Sequence, residues 1–119
     1  RDLSIIRSPP EGRQNITTYI MKQSDEVVKR ALARELYRKG QAFYVVPRIS
    51  DIPETVSRLG RLAPRASIVV AHSKVKDVEE RVLNFTLGIG DVLVATSIIE
   101  SGIDMPNVNS IIIQDAYMF

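Results

Sequence analysis

The sequence predicts an α/β fold, a three-layer sandwich in which a mostly parallel sheet carries helices on both faces. Two patterns point there. Nearly continuous apolar runs recur at residues 42–46, 67–71, 91–96 and 110–114. Between the first three runs lie segments whose apolar residues repeat at helical spacing. A strand buried on both faces has no polar side to show, so it reads as an unbroken apolar run. Strands separated by single amphipathic helices and short loops build βαβ units, whose crossover helices cover the sheet.

In chain order, residues 3–6 are a short apolar run that reads as a strand, broken by Pro9, Pro10 and Gly12. Residues 7–15 read as a linker. Residues 17–20 are β-branched and aromatic, which favours a strand. Ser24 then supplies an N-cap, with Asp25 and Glu26 near the positive end of the helix dipole. Val28, Leu32 and Leu36 mark one face, and Gly40 is the expected stop. After the 42–46 strand and Pro47, Asp51 with Glu54 suggests a capping box. Ile52, Val56, Leu59 and Leu62 stripe the second helix as far as Pro64. Val75, Val78, Val82 and Phe85 stripe the third, which Gly88 and Gly90 close.

The 119 residues suffice for one domain with one core. The sixteen basic and fourteen acidic residues leave a formal charge of only +2, which neither requires nor excludes a nucleic-acid partner. The absence of cysteine excludes a disulfide framework and a thiolate metal site, and a single histidine, His72, speaks against a structural zinc or multi-His metal centre. The apolar runs are too short to span a membrane as helices. The chain opens on Arg1-Asp2 without Met and closes on Met118-Phe119, and it reads as a piece of a larger protein.

In a parallel sheet, ligands bind beyond the carboxyl ends of the strands. The residues to examine are therefore Arg48, residues 72–74, residues 96–104 and Gln114-Asp115. No GxxxxGK[ST] loop or strand-borne GxGxxG occurs, so the chain has neither device for cradling a triphosphate. The exceptional stretch is residues 96–108, which follows a buried strand directly. It combines hydroxyls (Thr96, Ser97, Ser101), Gly102 and two carboxylates, Glu100 and Asp104. Hydroxyls and free N–H groups at a strand end suit phosphate oxygens, glycine allows close backbone approach, and a carboxylate can accept from a sugar hydroxyl.

Residues 92–104, running on to Ile111-Ile112-Ile113, resemble motif V of the superfamily 2 helicases. Phe85-Thr86-Leu87-Gly88 is similar to that family's F-x-x-G lead-in. Ala71-His72-Ser73-Lys74 resembles its strand-end H-G motif with serine in place of glycine, and residues 43–48 resemble motif IV. The opening residues 1–6, with Pro9-Pro10 and Arg13, resemble the linker between the two motor domains of transcription-repair coupling factors. Branch-migration helicases share a P-P-x-x-R linker but not the run before it. The family's Q-x-x-G-R-x-G-R motif VI does not occur in the chain.

The resemblance implies the second RecA-like domain of a double-stranded DNA translocase. Residues 1–15 would then be linker and the tail of a preceding motor domain, and residues 16–119 the helicase C-terminal domain. It implies ATP and Mg2+ as cofactors of the full-length parent, with none expected in this fragment and no catalytic residue within it. Partners would be the duplex backbone, the preceding RecA-like domain, and, through other domains, RNA polymerase and repair proteins. The setting would be the bacterial cytoplasm or an organelle of bacterial origin. Thr96, Ser97, His72, Lys74 and Arg48 would touch DNA. Gly102, Asp104 and Glu100 would face the nucleotide, with Asp104 near the ribose.

Plainer roles stand beside these. Thr96 can cap a turn, Asp104 can cap before Pro106, Glu100 can be a solvated carboxylate, and His72 can be a hydrogen-bonded structural residue. Lys29, Arg30, Arg34, Arg38 and Lys39 read as a solvated helix face. A non-catalytic RecA-like protein-binding module is the rival from another functional class.

Overall fold

A computed structural model describes residues 3–8, 16–21, 24–96 and 105–114. The elements are β1 (Leu3–Ser8), β2 (Ile16–Met21), α1 (Asp25–Tyr37), β3 (Gln41–Val45), α2 (Ile52–Leu62), β4 (Ile68–Ala71), α3 (Val78–Thr86), β5 (Val92–Ala95) and β6 (Val108–Gln114). They form one six-stranded sheet in the order β1-β2-β6-β3-β5-β4. The strands from β2 to β4 are mutually parallel, and β1 pairs antiparallel with β2. This is the mostly parallel α/β sheet of a RecA-like domain. Strand β1 runs to Ser8, past the break expected after Ile6.

Two apolar layers sandwich the sheet. Ala42, Tyr44 and Val46 face one side with Val92, Val94 and Ile112, beneath Val28, Ala31 and Leu32 of α1 and Ile52 and Leu59 of α2. Phe43, Val45, Leu93, Ala95 and Ala71 face the other, against Val82 and Phe85 of α3 and Met105. Strand β3 lies between β6 and β5 and is buried along its whole length, which explains its unbroken apolar run. Each large side chain packed away here, such as Leu32 or Leu59, contributes about 1.5–3 kcal/mol.

Strand β6 carries an irregularity. Gln41 pairs with Val108 but Ala42 pairs with Ser110, so Asn109 is an extra residue in the ladder. The bulge reverses the alternation. Val108 therefore faces the α3 side while Ile112, four residues on, faces α1 and α2.

Helix α1 starts as expected, with the Ser24 hydroxyl accepting from Val27 N. Its end differs from expectation. Gly40 N donates to Glu35 O at 2.8 Å and Lys39 N donates to Leu36 O at 3.3 Å. These are the two bonds of a Schellman cap, and the residue with left-handed backbone is Lys39, at φ 60°, not Gly40. Gly40 is needed for closeness instead. A Cβ there would collide with Glu35 Oε1 and Asn109 Nδ2. Helix α3 ends in the same motif with glycine in the expected place. Gly88, at φ +98°, donates to Phe85 O, and Ile89 N donates to Asn84 O.

Two further expectations change. Asp51 and Glu54 form no capping box, because the Asp51 side chain makes no cap bond to α2. It turns back to the backbone N–H and guanidinium of Arg48. Val75 lies in the turn before α3 rather than on the helix.

Candidate nucleic-acid interface

Three neighbouring strands end at one level. Val45 of β3 pairs with Ala95 of β5, and Ala95 pairs with Ala71 of β4. Adjacent strands lie about 4.8 Å apart, so the three carboxyl ends span roughly 10 Å. Directly beyond them come Arg48, Thr96 and the His72-Ser73-Lys74 turn. The fold thus brings together, on one edge, four of the five residues expected to touch DNA.

The β4 turn is built by its own histidine. Lys74 N donates to His72 Nδ1 at 3.2 Å, and Val75 N donates to His72 O at 3.0 Å. An Nδ1 that accepts carries no proton, so the neutral ring holds its proton on Nε2, on the opposite edge. His72 is half-buried and Lys74 is exposed. The turn therefore presents one N–H donor beside one ammonium group. Ser73, where the resembled motif has glycine, is exposed and has no left-handed backbone. Serine fits this turn without strain.

Arg48 is exposed but committed. Its Nε lies 3.2 Å and its Nη2 3.4 Å from the Asp51 carboxylate, and its backbone N–H donates to Asp51 Oδ2 at 3.0 Å. Asp51 holds the loop after β3 in shape and matches the arginine's charge. Thr96 is half-buried at the end of β5. Ser97, Glu100, Gly102 and Asp104 lie outside the described residues. Met105 is fully buried against the α3 layer.

Beneath this edge runs a polar network that the sequence did not announce. Arg58 of α2 is 8% exposed. Its Nε donates to Asp25 Oδ1 at 2.6 Å and its Nη1 donates to the Tyr44 hydroxyl at 3.1 Å. The Tyr44 hydroxyl in turn donates to Gln114 Oε1, 3.2 Å away at the carboxyl end of β6. Burial raises the Tyr44 pKa above its ordinary value, and the Arg58 charge and hydrogen bond oppose that only in part. The signal available in the sequence was an arginine directly before Leu59 and three residues after Thr55, at the margin of the apolar stripe of the helix. Such a residue reads equally well as a solvated arginine.

A second buried group sits at the opposite pole. Glu35, 2% exposed in α1, accepts from Arg38 and Ser110, and also from Asn109 Nδ2 at 3.4 Å. Arg30 likewise pairs with Glu26. The basic face of α1 is therefore exposed but partly neutralised. Among the described residues no group of three His, Cys, Asp or Glu is placed to hold a metal ion. No described helix is long and apolar enough to cross a membrane.

The family described as helicase conserved C-terminal domain matches residues 23–117. The chain belongs to that family. The match covers every strand but the first two, and it includes all three strand ends described above. The chain is also 46% identical, over 121 aligned positions covering all of it, to the transcription-repair-coupling factor of Staphylococcus haemolyticus strain JCSC1435. It shows the same identity and coverage to the proteins of that name from Staphylococcus epidermidis strain RP62A and Staphylococcus aureus strain USA300. The chain spans about a tenth of the length of these curated relatives, 10% in each case. This helicase C-terminal domain is thus one module of what is, in those relatives, a much longer polypeptide.

Proposed function

We propose that this helicase C-terminal domain is the second RecA-like half of an ATP-driven double-stranded DNA translocase that acts in transcription-coupled repair. The observation that supports it most directly is the aligned edge of β3, β5 and β4. There a histidine N–H, a lysine, an arginine loop and a threonine meet at the end of a parallel sheet, in a chain whose full-length relatives couple transcription to repair. These are backbone-reading groups: they suit phosphate oxygens and carry no code for base sequence.

In this reading Thr96, Ser97, His72, Lys74 and Arg48 track the duplex backbone. Gly102, Asp104 and Glu100 face a nucleotide held mainly by the preceding motor domain. The donor set fits that division. A glycine and two carboxylates can approach a ribose, but no phosphate loop is present in this sequence. ATP supplies the driving reaction when bound, and Mg2+ coordination falls to the preceding domain. RNA polymerase and repair proteins would engage other parts of the parent.

The test uses the parent protein. It should hydrolyse ATP with stimulation by duplex DNA and displace a halted RNA polymerase. Asp104→Ala should lower the stimulated rate at least ~10-fold, equivalent to about 1.4 kcal/mol of transition-state stabilisation. A parent with no DNA-stimulated turnover would instead favour a protein-binding module. An active parent indifferent to Asp104→Ala would remove the nucleotide role of that residue.

A further inference from the structure

We propose that Tyr44 and Arg58 are positioning residues that link the DNA-facing loop after β3 to the carboxyl end of β6. This inference rests on the translocase reading above and deepens it.

The link is continuous in the structure. The loop bearing Arg48 leads through Asp51 directly into α2, the helix that carries Arg58. Arg58 Nη1 donates to the Tyr44 hydroxyl, and Tyr44 donates to Gln114 Oε1. The start of α1 joins through Asp25, bound to Arg58 Nε at 2.6 Å. Four elements whose loops meet at one end of the sheet are therefore held by one chain of hydrogen bonds. The direction of the bonds follows from chemistry. A guanidinium can only donate, so the Tyr44 oxygen accepts from it and has a single proton left to give. That proton fixes which edge of the Gln114 amide faces Tyr44 and leaves Nε2 on the other edge.

Burial makes the arrangement selective. Tyr44 is 2% exposed, and Arg58 Nη2 is buried without a hydrogen-bond partner among the described residues. Taking a guanidinium and a hydroxyl out of water carries a desolvation cost. A hydrophobic pair of similar size would fill the same space at no such cost. The retained polar chain instead gives the loop after β3 and the end of β6 one shared geometry, so a shift of one is felt by the other.

Two measurements test this. In this chain, the Gln114 side-chain amide protons should be well dispersed in a ¹⁵N–¹H spectrum, and Tyr44→Phe should move them to unstructured values while the core resonances stay. An unmoved Gln114 amide would overturn the link itself. In the parent, Tyr44→Phe should reduce the stimulation of ATPase by duplex DNA at least ~5-fold while the DNA-free rate is unchanged. Gln114→Ala should do the same, and the double variant should lose no more than either single one. A merely structural role would lower the melting temperature and leave the stimulation ratio of the folded protein at the wild-type value; that outcome overturns the proposal. Should Tyr44→Phe fail to fold, Gln114→Ala, at the strand end, carries both measurements. A wild-type parent without any DNA stimulation, beside a Gln114 amide that does respond, would locate the failure in the translocase reading and not in the link.

Discussion

Glu35 and Ser110 lie 75 positions apart in sequence and share a buried hydrogen bond that ties the last turn of α1 to the start of β6. The same carboxylate holds Arg38 through both its oxygens. Removing it should be costly in a specific way. Glu35→Ala strands the buried Ser110 hydroxyl and leaves Asn109 Nδ2 with Asn107 O alone, and hydrogen bonds to a charged group contribute about 1.5–3 kcal/mol each. We expect Glu35→Ala to destabilise the chain by roughly 2–3 kcal/mol in urea titration. The double variant with Ser110→Ala should recover part of that loss, because the stranded hydroxyl is gone. A purely additive pair of losses would contradict this account.

The cap of the same helix gives a pair of opposite predictions. Lys39 holds a left-handed φ of 60°, which costs an ordinary residue about 1–2 kcal/mol. Lys39→Gly should therefore stabilise the chain by roughly 0.5–1 kcal/mol, after allowing for the freer unfolded glycine. Gly40→Ala should destabilise it, since its methyl group would meet Glu35 and Asn109. Thermal melting of the two variants checks both signs. Lys39→Gly melting below wild type would exclude the Schellman geometry.

Tyr44 predicts an alkaline limit to stability. Burial raises its pKa above the ordinary 10.0. The unfolded hydroxyl thus loses its proton first, and between the two pKa values the unfolded chain binds fewer protons than the folded one. Stability from this group is complete below about pH 10 and declines as the pH rises through the folded pKa. Tyr44→Phe should flatten the fall in melting temperature above about pH 10. An identical alkaline slope in the variant would show that another group is responsible.

These cases also show how far the sequence could be read. Residues 42–46 and 91–96 were legible because a doubly buried strand leaves an apolar run that no solvent-facing element needs. The helices were legible from Val28, Leu32 and Leu36 and their counterparts. Lys39 was not, because the sequence shows a glycine next door and gives no φ. Glu35 and Arg58 were not, because a charged residue on a helix is normally solvated and their partners are distant: Ser110 for one, Tyr44 and Asp25 for the other. The extra residue Asn109 in β6 was hidden for a similar reason. An irregularity in pairing depends on the partner strand, and Gln41 lies far away in sequence. At the candidate interface, Arg48, His72, Lys74 and Thr96 were legible as strand-end residues. That Asp51 already holds Arg48 was not, because the expected capping box assigned that carboxylate elsewhere.

The hydrogen bond from Lys74 N to His72 Nδ1 separates two roles of one side chain. The Nδ1 edge closes the turn, and the Nε2 edge, on the proposed reading, donates to a backbone phosphate. Asparagine places an acceptor near the Nδ1 position and nothing at Nε2. Glutamine places a donor near Nε2 and no acceptor at Nδ1. His72→Asn should therefore keep the turn and the melting temperature while weakening duplex binding by the worth of one hydrogen bond. That is about 0.5–1.5 kcal/mol, or roughly 2- to 10-fold. His72→Gln should do the reverse, holding more of the affinity at some loss of stability. Salt adds an independent check. A neutral histidine releases no counterion, so His72→Asn should leave the slope of log affinity against log salt unchanged, whereas Lys74→Ala should reduce its magnitude by about one. Titrating random-sequence duplexes at several salt concentrations measures both quantities. Wild-type affinity in His72→Asn, with the slope of Lys74→Ala also unaltered, would remove the β4 turn from the interface and leave Thr96 and the Arg48 loop to carry it.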